Sequence, residues 1–259
     1  MIDNVAVHYA EHGSGPALVA LHGAGVDHRE IEAAAEDFLP HQGLRRIYPD
    51  LPGMGRTRAG DRLAGNDDVV RLLGEFVDRL VGGPALVLGH SYGAYLARGL
   101  AARRPESVLG LALLCPIGEH TGALPEQIAL RIDPDAYDDL GPEQRSGFDD
   151  YFVIRTAGTA RRYRDQVLPG IALVDEAAVG RILGNWRIDL GTGTFDKPAL
   201  ILAGRRDSTA GYETAVELRD KYPRATLAVL DNAGHALPHE QPELVRALVA
   251  DWIDRAQPG

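Results

Sequence analysis

The residues best placed to do chemistry are a serine, an aspartate and a histidine that stand far apart in the chain. Gly89-His90-Ser91-Tyr92-Gly93 fits G-x-S-x-G, a turn that lifts a nucleophile out between a strand and a helix. The apolar run 85–88 comes just before it and the small-residue run 93–97 just after. A serine at so sharp a turn must take a strained backbone, and side chains at the flanking glycines would strike the neighbouring strand or helix. An ordinary glycine-rich turn is the competing interpretation. A hydroxyl nucleophile needs a base, and of the nine histidines only His235 sits in a Gly-His loop after the last strand, Ala233-Gly234-His235-Ala236. His239, on the approach to the final helix, is the second choice. The acid that orients the imidazole is expected from the end of a late strand, and the run 200–203 leads to Asp207. A helix-cap role for Asp207 competes, although Ser208 and Thr209 would cap equally well. Glu119 and Asp231 are the alternative acids.

Acyl transfer also needs donors aimed at the developing oxyanion. The elbow offers the backbone N–H of Tyr92, and the loop His22-Gly23-Ala24-Gly25 offers that of Ala24. His22 itself is expected to be a hydrogen-bonded structural residue, because it follows a buried strand. His8, His12, His28, His41 and His120 fall in hairpin, loop or helix-start positions and are expected to be solvated.

The elements that must position these groups alternate along the chain. The opening VAVHYAEHGSGPALVALHG reads as a hairpin turning at Gly13-Ser14-Gly15-Pro16, with a buried second strand over 17–21. Helical spacing follows over 30–39, a strand over 45–48, a helix over 69–81, a strand over 85–88, a helix over 94–103 and a strand over 108–114. Repeated βα units imply a parallel sheet. From 116 to 194 the pattern becomes acidic, arginine-rich and helical without a convincing buried strand. Strand character returns over 199–203 and 226–230, with helices near 213–221 and 242–253. Two discontinuous stretches, 1–115 and 195–259, therefore form the expected core, and 116–194 an inserted helical cap.

Composition narrows the function. A 259-residue chain with 45% hydrophobic residues supports one sizeable core without metal or disulfide. The net charge of -10 disfavours nucleic acid and anionic membrane surfaces and suits a small, neutral or weakly polar substrate. Cys115 is the sole cysteine, which fits a reducing compartment, and the absence of a signal-like start or long apolar run makes the cytoplasm the expected location. A homodimer is compatible with all of this. Lys197 and Lys221 are the only lysines, and neither stands where a Schiff base or lysine base would.

Five segments together resemble the α/β-hydrolase superfamily: LHGAG, DLPGMG, GHSYG, AGRRDSTAGY and NAGHALPHEQPE. The resemblance covers nearly the whole chain outside 116–194, and the order Ser91, Asp207, His235 agrees with it. It implies an α/β fold with an eight-stranded, mostly parallel sheet, helices on its flanks, a helical cap and a catalytic triad that works without cofactor or metal. Ser91 argues against the epoxide hydrolase and haloalkane dehalogenase branches, which use aspartate at the elbow. Ala24-Gly25-Val26 and Ala236-Leu237 depart from the carbon–carbon bond hydrolases, which show Gly-Pro-Gly and a tryptophan at those places. The expected activity is that of a serine carboxylesterase acting on a small ester, lactone or amide through an acyl-enzyme. A carbon–carbon bond hydrolase or a cofactor-free perhydrolase or acyltransferase is the alternative enzyme, and a non-catalytic ligand receptor is the alternative outside enzymes. Phe148, Tyr151, Phe152, Tyr163 and Trp186 are candidate pocket walls, while Arg161, Arg162 and Arg164 are expected to lie on a solvated face.

Overall fold

The computed structural model describes residues 5–118 and 124–256. The strands among them are β1 (Tyr9–His12), β2 (Ala17–Leu21), β3 (Arg45–Pro49), β4 (Ala85–His90), β5 (Val108–Leu114), β6 (Arg131–Ile132), β7 (Ile154–Arg155), β8 (Ala199–Gly204) and β9 (Ala225–Leu230). Seven form one sheet in the order β1-β3-β2-β4-β5-β8-β9, parallel throughout except for β1. The α/β-hydrolase fold is as expected, but the sheet has seven described strands where eight were anticipated.

Side-chain alternation along the central strands builds a core on each face. Val19, Leu21, Val87, Leu111, Leu113 and Ile201 point to the face covered by α2 (Asn66–Leu80) and α3 (Tyr92–Arg103). Leu18, Ala20, Leu86, Leu88, Leu114 and Leu202 point to the other, where α1 (His28–Phe38) and the C-terminal helix (Pro242–Ala256) supply Ile31, Phe38, Val249 and Trp252. Strands buried on both faces read as continuous apolar runs, which is why the sequence located them.

The N-terminal hairpin is not formed. β1 pairs antiparallel with β3, and β3 lies between β1 and β2. The turn at 13–16 crosses over the chain leading into β3 so closely that a Cβ on Gly13 would stand 2.5 Å from the Leu44 carbonyl oxygen. Local turn chemistry signalled a reversal, but the partner strand was β3, beyond α1, rather than the adjacent β2.

The DLPGMG turn is organised by Asp50 at the end of β3. Its carboxylate accepts from His28 Nδ1 (2.6 Å), the His28 N–H (3.0 Å), His8 Nδ1 (2.9 Å) and the Arg56 N–H (2.8 Å). His8 and His28 are thus engaged rather than solvated. Burial pushes the Asp50 carboxyl up, but the bonds from His28 and Arg56 outweigh it and hold the group well below its usual range.

Between β5 and β8 the chain leaves the sheet. It forms α4 (Pro142–Tyr151), α5 (Ala157–Arg162), a single wide turn (Tyr163–Val167), α6 (Leu168–Ile171) and α7 (Glu176–Gly184), with β6 and β7 paired as a two-residue parallel ribbon. Phe148, Phe152, Ala160, Tyr163 and Val167 pack together and rest on Val26 and Ala236, which belong to the loops after β2 and β9. The ribbon was not foreseen, because two-residue strands leave no period to read. Beyond β8, α8 (Glu213–Glu217) continues as a tighter 3-10 turn over Leu218–Lys221, and α9 (Leu237–Glu240) precedes α10, the C-terminal helix named above.

Candidate active site

Ser91 sits between β4 and α3 with φ 54° and ψ −115°, a left-handed backbone that L-residues avoid. The strain is held in place by its surroundings. A Cβ on Gly89 would stand 2.3 Å from the Gly93 carbonyl oxygen, and one on Gly93 would stand 2.3 Å from that of Leu21. Both glycines of the motif are therefore demanded by close backbone approach, as the spacing predicted. The Ser91 N–H donates to the Leu114 carbonyl at 2.9 Å, tying the elbow to β5.

Three distant segments meet here. His235 Nε2 lies 2.9 Å from Ser91 Oγ, and His235 Nδ1 lies 2.9 Å from each oxygen of Asp207. With Nδ1–H donating to the carboxylate, Nε2 keeps a lone pair for the serine proton. Asp207 Oδ1 also accepts from the N–H groups of Thr209 (2.9 Å) and Ala210 (2.8 Å), so this aspartate holds its own turn as well as the imidazole. Burial raises the Asp207 carboxyl, but the charge of His235 and these bonds bring it down to about 2.

The other sequence candidates fall elsewhere. Asp231 is exposed and pairs with Arg205 at 3.6 Å. Glu119 and His120 lie outside the described residues. His22 is satisfied on both ring nitrogens, Nδ1 donating to the Gly23 carbonyl (2.7 Å) and Nε2 accepting the Leu51 N–H (2.9 Å). Neither lysine is near the serine, since Lys197 Nζ caps the Pro105 and Val108 carbonyls and Lys221 Nζ reaches that of Thr192.

Behind the elbow lies a cluster that sequence reasoning missed. Glu30, fully buried on α1, receives the Tyr151 hydroxyl (3.3 Å) and His239 Nε2 (3.1 Å) on one oxygen. His90 Nδ1 lies 3.0 Å from the same oxygen, close enough for an ion pair though poorly aligned for a hydrogen bond. The other ring nitrogen of His90 donates to the His235 carbonyl at 2.9 Å. Burial pushes the Glu30 carboxyl up, and the facing His90 charge more than reverses this, so it lies well below the usual range. Burial alone would depress His90, but Glu30 raises it. His239, by contrast, is lowered by burial. A second unforeseen carboxylate, Glu240, accepts from the N–H groups of Gly234 (2.7 Å), Val153 (2.7 Å) and Ile154 (3.2 Å), pinning the His235 loop to the inserted segment. The HEQPE run was visible in the sequence, but its partners were not.

A cavity of about 380 Å³ opens over Ser91 and His235, walled by Gly23, Ala24, Val26, Ile117, Asp150, Tyr151, Leu183 and Trp186. Ala24 and Tyr92 both border it, and among the described residues neither backbone N–H donates to a protein acceptor. Of the five aromatic candidates, Tyr151 and Trp186 line the cavity, whereas Phe148, Phe152 and Tyr163 form the small core of the insertion. Arg161, Arg162 and Arg164 pair with Asp139, Asp37 and Asp165 outside it.

Comparison with known proteins finds hydrolases among the chain's relatives. The chain is 25% identical over 256 residues to an (E)-2-((N-methylformamido)methylene)succinate hydrolase of Acinetobacter baylyi, covering 97% of this chain and 95% of that protein. It is 30% identical over 256 residues to a pimeloyl-[acyl-carrier protein] methyl ester esterase of Aromatoleum aromaticum, covering 92% and 98%. The crystal structure of an alpha/beta superfamily hydrolase from Oenococcus oeni superposes with a TM-score of 0.85 at 26% identity, covering 96% of each chain. These relatives are hydrolases, and no described helix is long and apolar enough to cross a membrane. The model of the Alpha/beta hydrolase family matches residues 18–248, and the chain belongs to that family.

Proposed function

We propose that this protein is a serine hydrolase that cleaves a small, neutral carboxylic ester through an acyl-enzyme. The observation that carries the proposal is the unbroken line from Asp207 through His235 to Ser91 Oγ, with every contact at 2.9 Å. In the first half-reaction Ser91 Oγ attacks the ester carbonyl while His235 Nε2 takes its proton, and Asp207 steadies the imidazolium. The N–H groups of Ala24 and Tyr92 receive the negative charge that grows on the carbonyl oxygen. His235 then protonates the departing alcohol. Water, activated by the same imidazole, releases the acid and restores Ser91.

The cavity supports a neutral substrate. Its walls are largely apolar, and among the described residues that line it the acid is Asp150 and there is no arginine or lysine to meet a carboxylate. A dicarboxylate of the kind named for the Acinetobacter baylyi relative is disfavoured by that lining. An uncharged ester, as named for the Aromatoleum aromaticum relative, fits it better. In this reading residues 116–194 act as the cap, because Ile117, Asp150, Tyr151, Leu183 and Trp186 supply the side of the cavity facing Ser91. A panel of p-nitrophenyl esters, lactones and diketones, run with Ser91→Ala as blank, tests the proposal. Short uncharged esters are expected to turn over and Ser91→Ala to be inert; preferred cleavage of diketones would move the chain to carbon–carbon bond hydrolysis.

A further inference from the structure

The molecule contains two buried arginines whose surroundings differ sharply. Arg46, 4% exposed, is fully engaged: its guanidinium donates to both oxygens of Glu36 and to the carbonyls of Pro40, His41 and Leu44. Arg98, 8% exposed on α3, has no carboxylate within ion-pair reach among the described residues, and its buried Nε has no hydrogen-bond partner. Its neighbours are the ring of Tyr95, 5.6 Å from the guanidinium carbon, and the phenol of Tyr222. A guanidinium removed from water without a counter-charge is costly, and folded chains normally supply one from within, as Glu36 does for Arg46.

Arg98 instead faces a cavity of about 160 Å³ that shares no lining residue with the one over Ser91. Among the described residues, the other ionisable side chains on its wall are Lys221 and Tyr222, so the described wall carries two cations and no acid in a chain whose net charge is -10. The rest of the wall is mostly apolar and includes Ala101, Leu190 and Phe195. A dry space of about 150 Å³ is large enough to hold a benzene ring. A guanidinium carries paired donors at the spacing a carboxylate accepts in bidentate fashion, and because Nε of Arg98 is shut off from solvent this pairing falls to its terminal nitrogens.

We infer that this cavity is a second binding site, which takes a small organic monocarboxylate with its charge on Arg98 and its apolar body against Ala101, Leu190 and Phe195. Lys221, exposed at the rim, adds a screened attraction. The site is independent of the chemistry assigned to Ser91. It stands about two helical turns along α3 from that serine. Tyr95, under Arg98, stacks on Trp186 with ring centroids 5.0 Å apart, and Trp186 lines the Ser91 cavity. Occupancy thus bears on a wall of the other cavity.

Titration calorimetry of the full chain carrying Ser91→Ala, with sodium benzoate, benzamide and sodium phosphate at matched ionic strength, tests the inference. Benzoate is expected to bind saturably, with benzamide and phosphate each weaker by about tenfold or more, since a charge-assisted pair is lost or an apolar fit is missing. Arg98→Met is expected to weaken benzoate by at least about tenfold while leaving the ligand-free melting temperature unchanged or higher, which an arginine kept for structure would not do. Ala102→Glu, at an exposed position one turn from Arg98, supplies an internal counter-ion and is expected to abolish binding without loss of fold. Benzoate binding that survives Ala102→Glu or Arg98→Met, tighter binding of phosphate than of benzoate, or no saturable benzoate binding would each overturn the inference.

Discussion

Two carboxylates hold imidazoles within reach of the elbow, and only one of the two arrangements leaves a ring nitrogen open to a hydroxyl. Asp207 holds His235, whose free nitrogen faces a hydroxyl and whose ring is partly exposed. Glu30 holds His90 and His239, all three closed off from solvent. The difference lies in what stands at the second nitrogen. His90 faces an acceptor on both sides, the His235 carbonyl and the Glu30 carboxylate, an arrangement that favours a proton on each nitrogen over an offered lone pair. His235 faces one acceptor and one donor, which leaves it able to take a proton. The same residue types thus give a base in one place and a brace in the other, and the brace ties α1, the elbow, the His235 loop and α4 together.

The largest expected effect falls on the open pair. Asp207→Asn should lower kcat by about 10⁴ with a small change in KM, because the amide no longer fixes the tautomer that leaves Nε2 free. Steady-state hydrolysis of p-nitrophenyl acetate measures it. A loss of less than tenfold would mean that the carboxylate only shapes its turn, through Thr209 and Ala210.

The closed pair should respond in the opposite currency. Glu30→Gln is expected to reduce stability by about 3 kcal/mol, the scale for breaking a buried ion pair, while kcat falls less than about tenfold. Urea unfolding and kinetics on the same preparation give both numbers. A fall in kcat as deep as that of Asp207→Asn with unchanged stability would place Glu30 in the proton path and erase the distinction.

The smallest effect is the acid dependence of stability. Folding lowers the Asp207 carboxyl from 3.8 to about 2. A group lowered in this way stabilises the fold above its unfolded pKa and loses that contribution as pH falls through the folded value. The contribution is about 2 kcal/mol, complete above about pH 5 and lost between about pH 4 and pH 2. Glu30 is lowered in the same direction and adds to the same limb. The difference in unfolding free energy between wild type and Asp207→Asn, followed from neutral pH downward, should therefore narrow with acid; a constant gap would show that Asp207 is not held ionised by the fold.

What the sequence made legible was local. Ser91, Asp207 and His235 each follow an apolar run closely enough for the run to mark a strand end, and the parallel sheet then brings strand ends together. Gly89 and Gly93 announced the close approach that the elbow requires. What stayed hidden was every contact whose partner lies far along the chain. Glu30 meets His90 and His239 across gaps that no spacing rule spans, and Glu240 reads as helix-start chemistry until Val153 and Gly234 arrive beside it. β1 failed for the same reason, since its turn residues signalled a reversal without saying which strand it would meet. Residues 116–194 read as a cap from their lack of strand pattern, but which of their aromatics reach Ser91 depended on packing: Tyr151 does, and Phe148 and Phe152, on either side of it in sequence, do not.

The most direct measurement is the covalent state of Ser91 during turnover. Rapid mixing with p-nitrophenyl acetate, followed by acid quench and peptide mass spectrometry, should give a burst of about one p-nitrophenol per chain and a single acetyl group on the peptide that contains Ser91. Ser91→Ala should show neither. Steady hydrolysis with no acetylated peptide, retained in Ser91→Ala, would contradict the serine mechanism outright.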